Sequence, residues 1–206
     1  ADSIALLTIL VESGYSCIAA HCNFHLRGDE SLRDEQFVRE YARKLDVPFL
    51  MTDFDTRKYA ADRHLSIEMA ARELRYGWFE EQRAATGAQA VAVAHHRDDS
   101  VETLLMNLLF EGRIGCFQPV TYLSRSDVTQ IRPLLYVKEQ QVRNVAAKLD
   151  FPIVHNPCPA NGETRRQEVK ELIESLSERY PDLKQKLFGA MQRYPLYGWD
   201  TKNSEK

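Results

Sequence analysis

The residues best able to do chemistry are concentrated in Ala94–Glu111, AHHRDDSVETLLMNLLFE. His95, His96, Asp98 and Asp99 place four ionisable groups within five positions, more than a helix cap requires. Imidazoles exchange protons near neutral pH, and carboxylates hold hard cations. The cluster follows a short apolar run, Ala90–Ala94, and precedes a helical pattern in which Val101, Leu104, Leu105, Leu108 and Leu109 share one face. Polar groups between the carboxyl end of a strand and a helix are where open α/β sheets bind ligands. The bland alternative is that Asp98 or Asp99 caps the helix.

Two further segments bring polar groups to the same kind of position: Asp2 and Ser3 at one helix start, and Asn23, His25 and Arg27 after another apolar run. Helix starts offer backbone N–H groups and a positive dipole end, suited to phosphate. Asp2 with Asp98 or Asp99 matches the one or two carboxylates that Mg²⁺ takes alongside phosphate oxygens. Nucleotide chemistry is the resulting class. The chain has neither GxxxxGK[ST] nor GxGxxG, which disfavours a Walker-type ATPase and a dinucleotide dehydrogenase. A His/Asp metallohydrolase, with His21 or His155 as added ligands, is the second reading; it leaves the start at Asp2 unexplained. Arg72 and Arg75, with Glu68 one turn before Arg72, form either a substrate face or a salt-bridged solvated one. Arg132 is either a phosphate ligand or a snorkelling side chain. Arg165, Arg166 and Lys170 read as a solvated helix face, and Cys158, between prolines, as an unreactive loop thiol.

The elements that position these groups alternate. Helices are expected at 2–13, 30–45, 66–85, 99–111, 138–149, 163–179 and 182–193, with strands at 16–23, 47–51, 90–94 and 131–135. Ser66 is a plausible N-cap and Gly87 a stop. Residues 54–64 read as a part-helical connection, 112–130 as an irregular loop, 151–154 as a short extended run, 155–162 as a turn-rich loop, and the segment from Tyr194 as a tail. This β-α alternation points to an α/β fold: a Rossmann-like parallel sheet with helices on both faces, followed by a helical C-terminal extension. The expected division is 1–160, 161–193 and 194–206. A doubly wound sheet needs a strand ahead of the helix at Asp2, so one is expected before Ala1.

Composition agrees. The 206 residues are 44% hydrophobic and 28% charged, with net charge −3 and pI near 6.1, and no apolar run reaches the ~20 residues of a membrane span. Cys17, Cys22, Cys116 and Cys158 form no CxxC pair, which fits a reducing cytoplasm and argues against a zinc ribbon or a disulfide framework.

The motifs also resemble a known family. ADSIALL is similar to the end of the SGGxDS motif of PP-loop ATP pyrophosphatases, which implies Ser-Gly-Gly ahead of Ala1. HCNFHLRGDESLRDEQFVREYARKL, IEMAARELRYGWFEE and AHHRDDSVETLLMNLL resemble successive signatures of the tRNA(Ile)-lysidine synthetases, and together with ADSIALL they cover residues 1–111. Residues 131–191 resemble the sister tRNA 2-thiocytidine synthetases, whose distant cluster cysteine Cys158 matches; their CxxC pair has no counterpart here, and an iron–sulfur cluster needs several thiolates. The resemblance implies an adenine nucleotide alpha hydrolase-like fold, ATP and Mg²⁺ as cofactors, tRNA as partner, and lysine or a sulfur donor as the small-molecule nucleophile. It implies that a tRNA cytidine is adenylated at C2 with release of pyrophosphate, and that the nucleophile then displaces AMP. Asp2, Arg72, Asp98, Asp99 and Arg132 would be catalytic. ATP would meet Asp2, Ser3, Asn23, Arg27 and His95; the other substrates would meet Glu68, Arg72, Arg75, His96 and Glu102; Asp2 and Asp99 would hold the metal. A nucleotide-binding protein without tRNA chemistry is the reading from another class. The oligomeric state is left open, a homodimer included.

Overall fold

The structure, a computed structural model, describes residues 1–125, 127–149 and 165–194. Cys158, His155, the expected extended run at 151–154, the loop at 155–162 and the tail after Tyr194 lie outside the described residues. The elements are α1 (Asp2–Glu12), β1 (Ala19–Asn23), α2 (Asp29–Lys44), β2 (Phe49–Asp53), α3 (Thr56–Arg63), α4 (Ile67–Thr86), β3 (Val91–Ala92), α5 (Arg97–Glu111), β4 (Val120–Leu123), β5 (Val128–Ile131), α6 (Glu139–Lys148), α7 (Arg165–Arg179) and α8 (Leu183–Arg193). The fold is α/β, as expected. β1 and β2 run parallel, in register from Ala19 opposite Phe49 to Asn23 opposite Asp53, and α2 makes the crossover that parallel strands require. A three-stranded sheet has the order β3-β5-β4.

Local chemistry explains most boundaries. The Asp55 carboxylate accepts the Lys58 N–H at 3.1 Å and caps α3, and Ser66 Oγ accepts the Met69 N–H at 3.2 Å and caps α4. Gly87, at φ 70°, ends α4 in the left-handed region where a side chain is strained. β2 begins at Phe49 instead of Val47. The Val47 N–H closes the end of α2 on the Ala42 carbonyl at 2.9 Å, and Pro48 has no N–H to give to a ladder.

Three expectations are corrected. The strand at 90–94 shortens to Val91–Ala92, and the Val93 N–H adds a bond to the Ile131 carbonyl at 3.0 Å. The 112–130 segment is not irregular throughout. It contains β4 and most of β5, joined by so short a connection that the pair must be antiparallel. The strand expected at 131–135 is therefore the end of β5, followed by turns.

The chain divides into two compact units. One holds Ser3–Val91 with the described residues of Tyr122–Thr129, and the other holds Ala1–Asp2, Ala92–Thr121 and the described residues from Gln130 onward. In the first, Ile4, Ala5, Leu6, Tyr41 and Ala42 are buried, and Thr8 Oγ1 meets Tyr41 Oη at 3.1 Å between α1 and α2. In the second, Val101 and Leu104 of α5 share a core with Leu135, Val169 and Ile173 of α7, and Phe188 and Met191 of α8. The C-terminal helices are thus built into the core that carries α5. Among the described residues no helix is long and apolar enough to cross a membrane.

Candidate functional site

The start of α5 is a capping box in which histidine takes the place of serine. His96, 4% exposed, is the N-cap; its Nδ1 accepts the Asp99 N–H at 3.4 Å, while Asp99 Oδ2 accepts the His96 N–H at 2.8 Å. The cap is therefore His96, not Asp98 or Asp99, and its imidazole is buried in this role.

Asp98 is 5% exposed and both its oxygens are engaged. Oδ2 accepts the Glu139 N–H at the start of α6 at 2.9 Å, and Oδ1 pairs with Lys184 of α8 at 2.9 Å. Burial by itself would raise this carboxyl's pKa; the Glu139 amide and Lys184 outweigh it and hold the pKa below the ordinary value. Asp98 is a clamp joining three helices, α5, α6 and α8. Asp98→Ala leaves a buried amide and an ammonium without their acceptor, and is expected to lower stability by about 2–4 kcal/mol. Urea unfolding measures it, and a loss within about 0.5 kcal/mol would remove the clamp.

Asp99 and Glu102 lie one helical turn apart and face α7. Arg166 Nη1 stands 3.0 Å from Glu102 Oε2 and 3.4 Å from Asp99 Oδ1, and Lys170 Nζ stands 3.6 Å from Glu102 Oε1. Arg166 and Lys170, expected as a solvated face, are thus half-exposed and paired with α5. Glu102 is 4% exposed. Burial pushes its pKa up, against the opposing pull of Lys170 and Arg166. This part of the site is a carboxylate pair, Glu102 buried and Asp99 half-buried, that accepts cations.

Arg132 is 7% exposed, so it does not snorkel. Its Nη1 donates to the Gln118 carbonyl at 2.6 Å and to Thr121 Oγ1 at 2.9 Å, its Nη2 to Gln130 Oε1 at 2.6 Å, and its Nε to His95 Nδ1 at 3.3 Å. Its guanidinium lies 4.9 Å from the centre of the Phe117 ring, on which His95 also stacks at 4.7 Å. Accepting at Nδ1 keeps the His95 imidazole neutral, with its proton on Nε2. Burial lowers the His95 pKa; Asp99 opposes this, and Arg132 adds to it. The unfolded chain therefore takes up protons first as pH falls. His95 contributes stability that is present above its ordinary value of 6.5 and is lost as pH drops toward the lower folded value. His21 titrates with the same sign. Urea midpoints are expected to fall between about pH 7.5 and about pH 5.5, and His95→Gln is expected to shrink that fall. An unchanged slope in the variant would place the titration elsewhere.

The remaining expected residues are placed as follows. Asp2 stands half-buried in the first turn of α1, and Ser3 beside it is exposed. Asn23 is 2% exposed at the end of β1; its Oδ1 accepts the His25 N–H at 3.0 Å, and its Nδ2 donates to Glu35 at 3.2 Å. Arg27 pairs with Asp34 at 2.7 Å. Both shape the turn into α2. Glu68 is exposed at the start of α4, Arg72 lies over the Tyr76 ring at 4.9 Å, and Arg75 over the Phe24 ring at 5.1 Å. Sequence reasoning did not find Lys184, the Glu139 amide, or Phe117, Gln118, Thr121 and Gln130 around Arg132. None carries a periodic or motif signal, and their partners are remote in sequence. Among the described residues no three His, Cys, Asp or Glu side chains are grouped to hold a metal by themselves.

The structure thus has an α/β fold with a parallel strand pair and an acidic, imidazole-capped start to α5. Residues 1–176 match the PP-loop domain family, and the chain belongs to it. It is 58% identical over 142 residues to a tRNA(Ile)-lysidine synthase of Parabacteroides distasonis, covering 69% of this chain and 32% of that protein. It is 42% identical over 204 residues to a tRNA(Ile)-lysidine synthase of Porphyromonas gingivalis, covering 94% of this chain and 44% of that protein. The chain thus spans between about a third and under half of the length of these relatives, and the similarity runs well past Glu111. A U34-tRNA thiolase from Methanococcus maripaludis has the same fold, with a TM-score of 0.73, 18% identity, and coverage of 94% of this chain and 68% of that one.

Proposed function

We propose that this chain is the nucleotide-handling part of an ATP-dependent tRNA-modifying enzyme that adenylates C2 of a tRNA cytidine and then transfers lysine to it. The observation that carries this reading is the similarity to tRNA(Ile)-lysidine synthases across 94% of the chain. In the first step the cytidine C2 oxygen attacks the α-phosphorus of ATP, and the bond to pyrophosphate breaks. The backbone N–H groups at the start of α1, beside Asp2 and Ser3, suit the departing phosphates. Asp2 and Asp99 would hold Mg²⁺ together with phosphate oxygens, and the cation would offset charge on the leaving group. His95, held neutral, offers an Nε2–H donor. Arg72 and Arg75 supply positive charge for RNA or phosphate, with Glu68 beside them. Asn23, Arg27, His96, Asp98 and Arg132 act by keeping turns and helices in place.

In the second step the lysine ε-amine attacks C2, and AMP leaves. The amine must first lose a proton, and a carboxylate with a raised pKa is a better base than an ordinary one. Glu102 has that property. Asp99 and Glu102 already accept the cations of Arg166 and Lys170, the chemistry a substrate ammonium needs. Transfer of sulfur is the weaker reading, because burial pushes the Cys22 and Cys116 thiols up to about 11 and keeps both protonated at neutral pH.

Full-length protein incubated with ATP, labelled lysine and tRNA is expected to put label into RNA and release pyrophosphate. Pyrophosphate release without label would overturn lysine transfer. ATP binding without tRNA binding at low salt, where phosphate contacts are strongest, would leave a nucleotide-binding protein of another kind.

A further inference from the structure

Among the described residues, the cations of α3 and the first half of α4 have no carboxylate partners, unlike several others in their unit. On α2 and in the turn before it, Arg27, Arg33 and Arg39 pair with Asp34, Glu30 and Glu35, and Arg83, late in α4, pairs with Asp127. Arg57, Lys58, Arg63, Arg72 and Arg75 are exposed, and among the described residues none of them pairs with a carboxylate. Over residues 57–75 these five cations stand against three carboxylates, in a chain whose net charge is −3. One of the three, Glu73, accepts a bond from Tyr59 Oη at 3.3 Å.

Three of these arginines lie on aromatic rings instead: Arg63 over Tyr59 at 4.8 Å, Arg72 over Tyr76 at 4.9 Å and Arg75 over Phe24 at 5.1 Å. A ring takes the flat face of a guanidinium and leaves its N–H edges in plane for an oxyanion. Phe24 also stacks on Phe54 at 5.6 Å. That pair lines a cleft of about 420 Å³ with His25, Asp53, Asp55 and Arg57. The two acids of the cleft are engaged: Asp53 with His25 at 2.7 Å, and Asp55 as the cap of α3. Cations without carboxylate partners beside an aromatic cleft are the surface a single strand requires, because every base has a face to stack and every nucleotide a phosphate to pair.

We propose that the α3–α4 face binds an unpaired RNA strand, with Arg57, Lys58 and Arg63 on its phosphates and a base stacked at the Phe24–Phe54 cleft. The inference rests on the proposed tRNA chemistry and adds that the tRNA is held through a loop, not through a duplex.

The test measures binding of labelled tRNA to full-length protein at rising salt, with ATP affinity measured in parallel. The triple variant Arg57→Gln, Lys58→Gln, Arg63→Gln is expected to bind tRNA at least about tenfold more weakly. Its log–log salt slope should be shallower by about 2, as expected for three lost single-strand phosphate contacts. ATP affinity should not change. Phe54→Ala should weaken an unstructured RNA about as much as it weakens tRNA, and lysines at Arg57 and Arg63 should keep the slope. Unchanged tRNA affinity and slope in the triple variant, with unchanged circular dichroism, would overturn the proposal. Weakened ATP binding with intact tRNA binding would assign the cleft to the base of ATP and overturn it as well. If the unaltered protein does not bind tRNA at low salt, the tRNA reading itself fails and takes this inference with it; lysine transfer that survives in the triple variant at saturating tRNA keeps the two apart.

Discussion

Asp2→Ala is expected to lower ATP-dependent pyrophosphate release by on the order of 100-fold or more, the scale of losing a charge aimed at a transferring phosphoryl group. Asp2 stands in the first turn of α1, where the helix presents its N–H groups and positive dipole end. Phosphates would gather there, and the Asp2 carboxylate would bind the cation that accompanies them. The loss of helix stabilisation by itself is small, about 0.3–1 kcal/mol, so circular dichroism should change little. Asp2→Asn separates charge from shape: it keeps the size of the side chain but holds no cation. Turnover kept in Asp2→Asn would make Asp2 a helix-start residue and move the metal elsewhere.

Arg132→Ala is expected to destabilise the protein by about 3 kcal/mol or more. It leaves the Gln118 carbonyl, Thr121, Gln130 and His95 without a donor in a site that is 7% exposed at Arg132, and a buried polar group left unpaired costs about 1–3 kcal/mol. Lysine should not rescue it, since a point ammonium cannot reproduce the fork that reaches four partners. His95 supplies a second readout. Removing Arg132 takes away a positive neighbour and a donor at Nδ1, so the His95 pKa should rise, as followed by ring-proton shifts in an NMR titration. An unchanged midpoint would mean that the Arg132–His95 bond does not operate in solution.

Much of the α/β fold was legible. The cap at Ser66, the stop at Gly87 and the start of the α5 apolar face at Val101, Leu104 and Leu105 are local signals, each set by neighbours within a turn or two, whereas Leu108 and Leu109, expected on that face, are exposed. β4 and β5 were hidden because four-residue strands beside Pro119 and the glycines carry too little alternation to register. At the candidate site the residue types were legible but their partners were not. Asp98 reads the same whether it faces a ligand or Lys184, and Arg132 reads the same whether it meets phosphate or Gln130. Asn23 is another case, a polar residue at a strand end whose amide turns out to brace a loop.

The order and spelling of four motifs, from ADSIALL to the HHRDD helix start, determined from sequence that this chain is a PP-loop protein, because such motifs are short and their backbone geometry is set by the residues within them. Only the tertiary structure decided which of their charges are engaged. Arg166 meets Glu102 from 64 positions away, and Arg132 meets His95 from 37. The first follows from how α7 and α8 bury Ile173 and Phe188 against α5, and the second from the fold that brings the end of β5 beside the start of α5; packing of that kind leaves no mark on the spacing along a single chain.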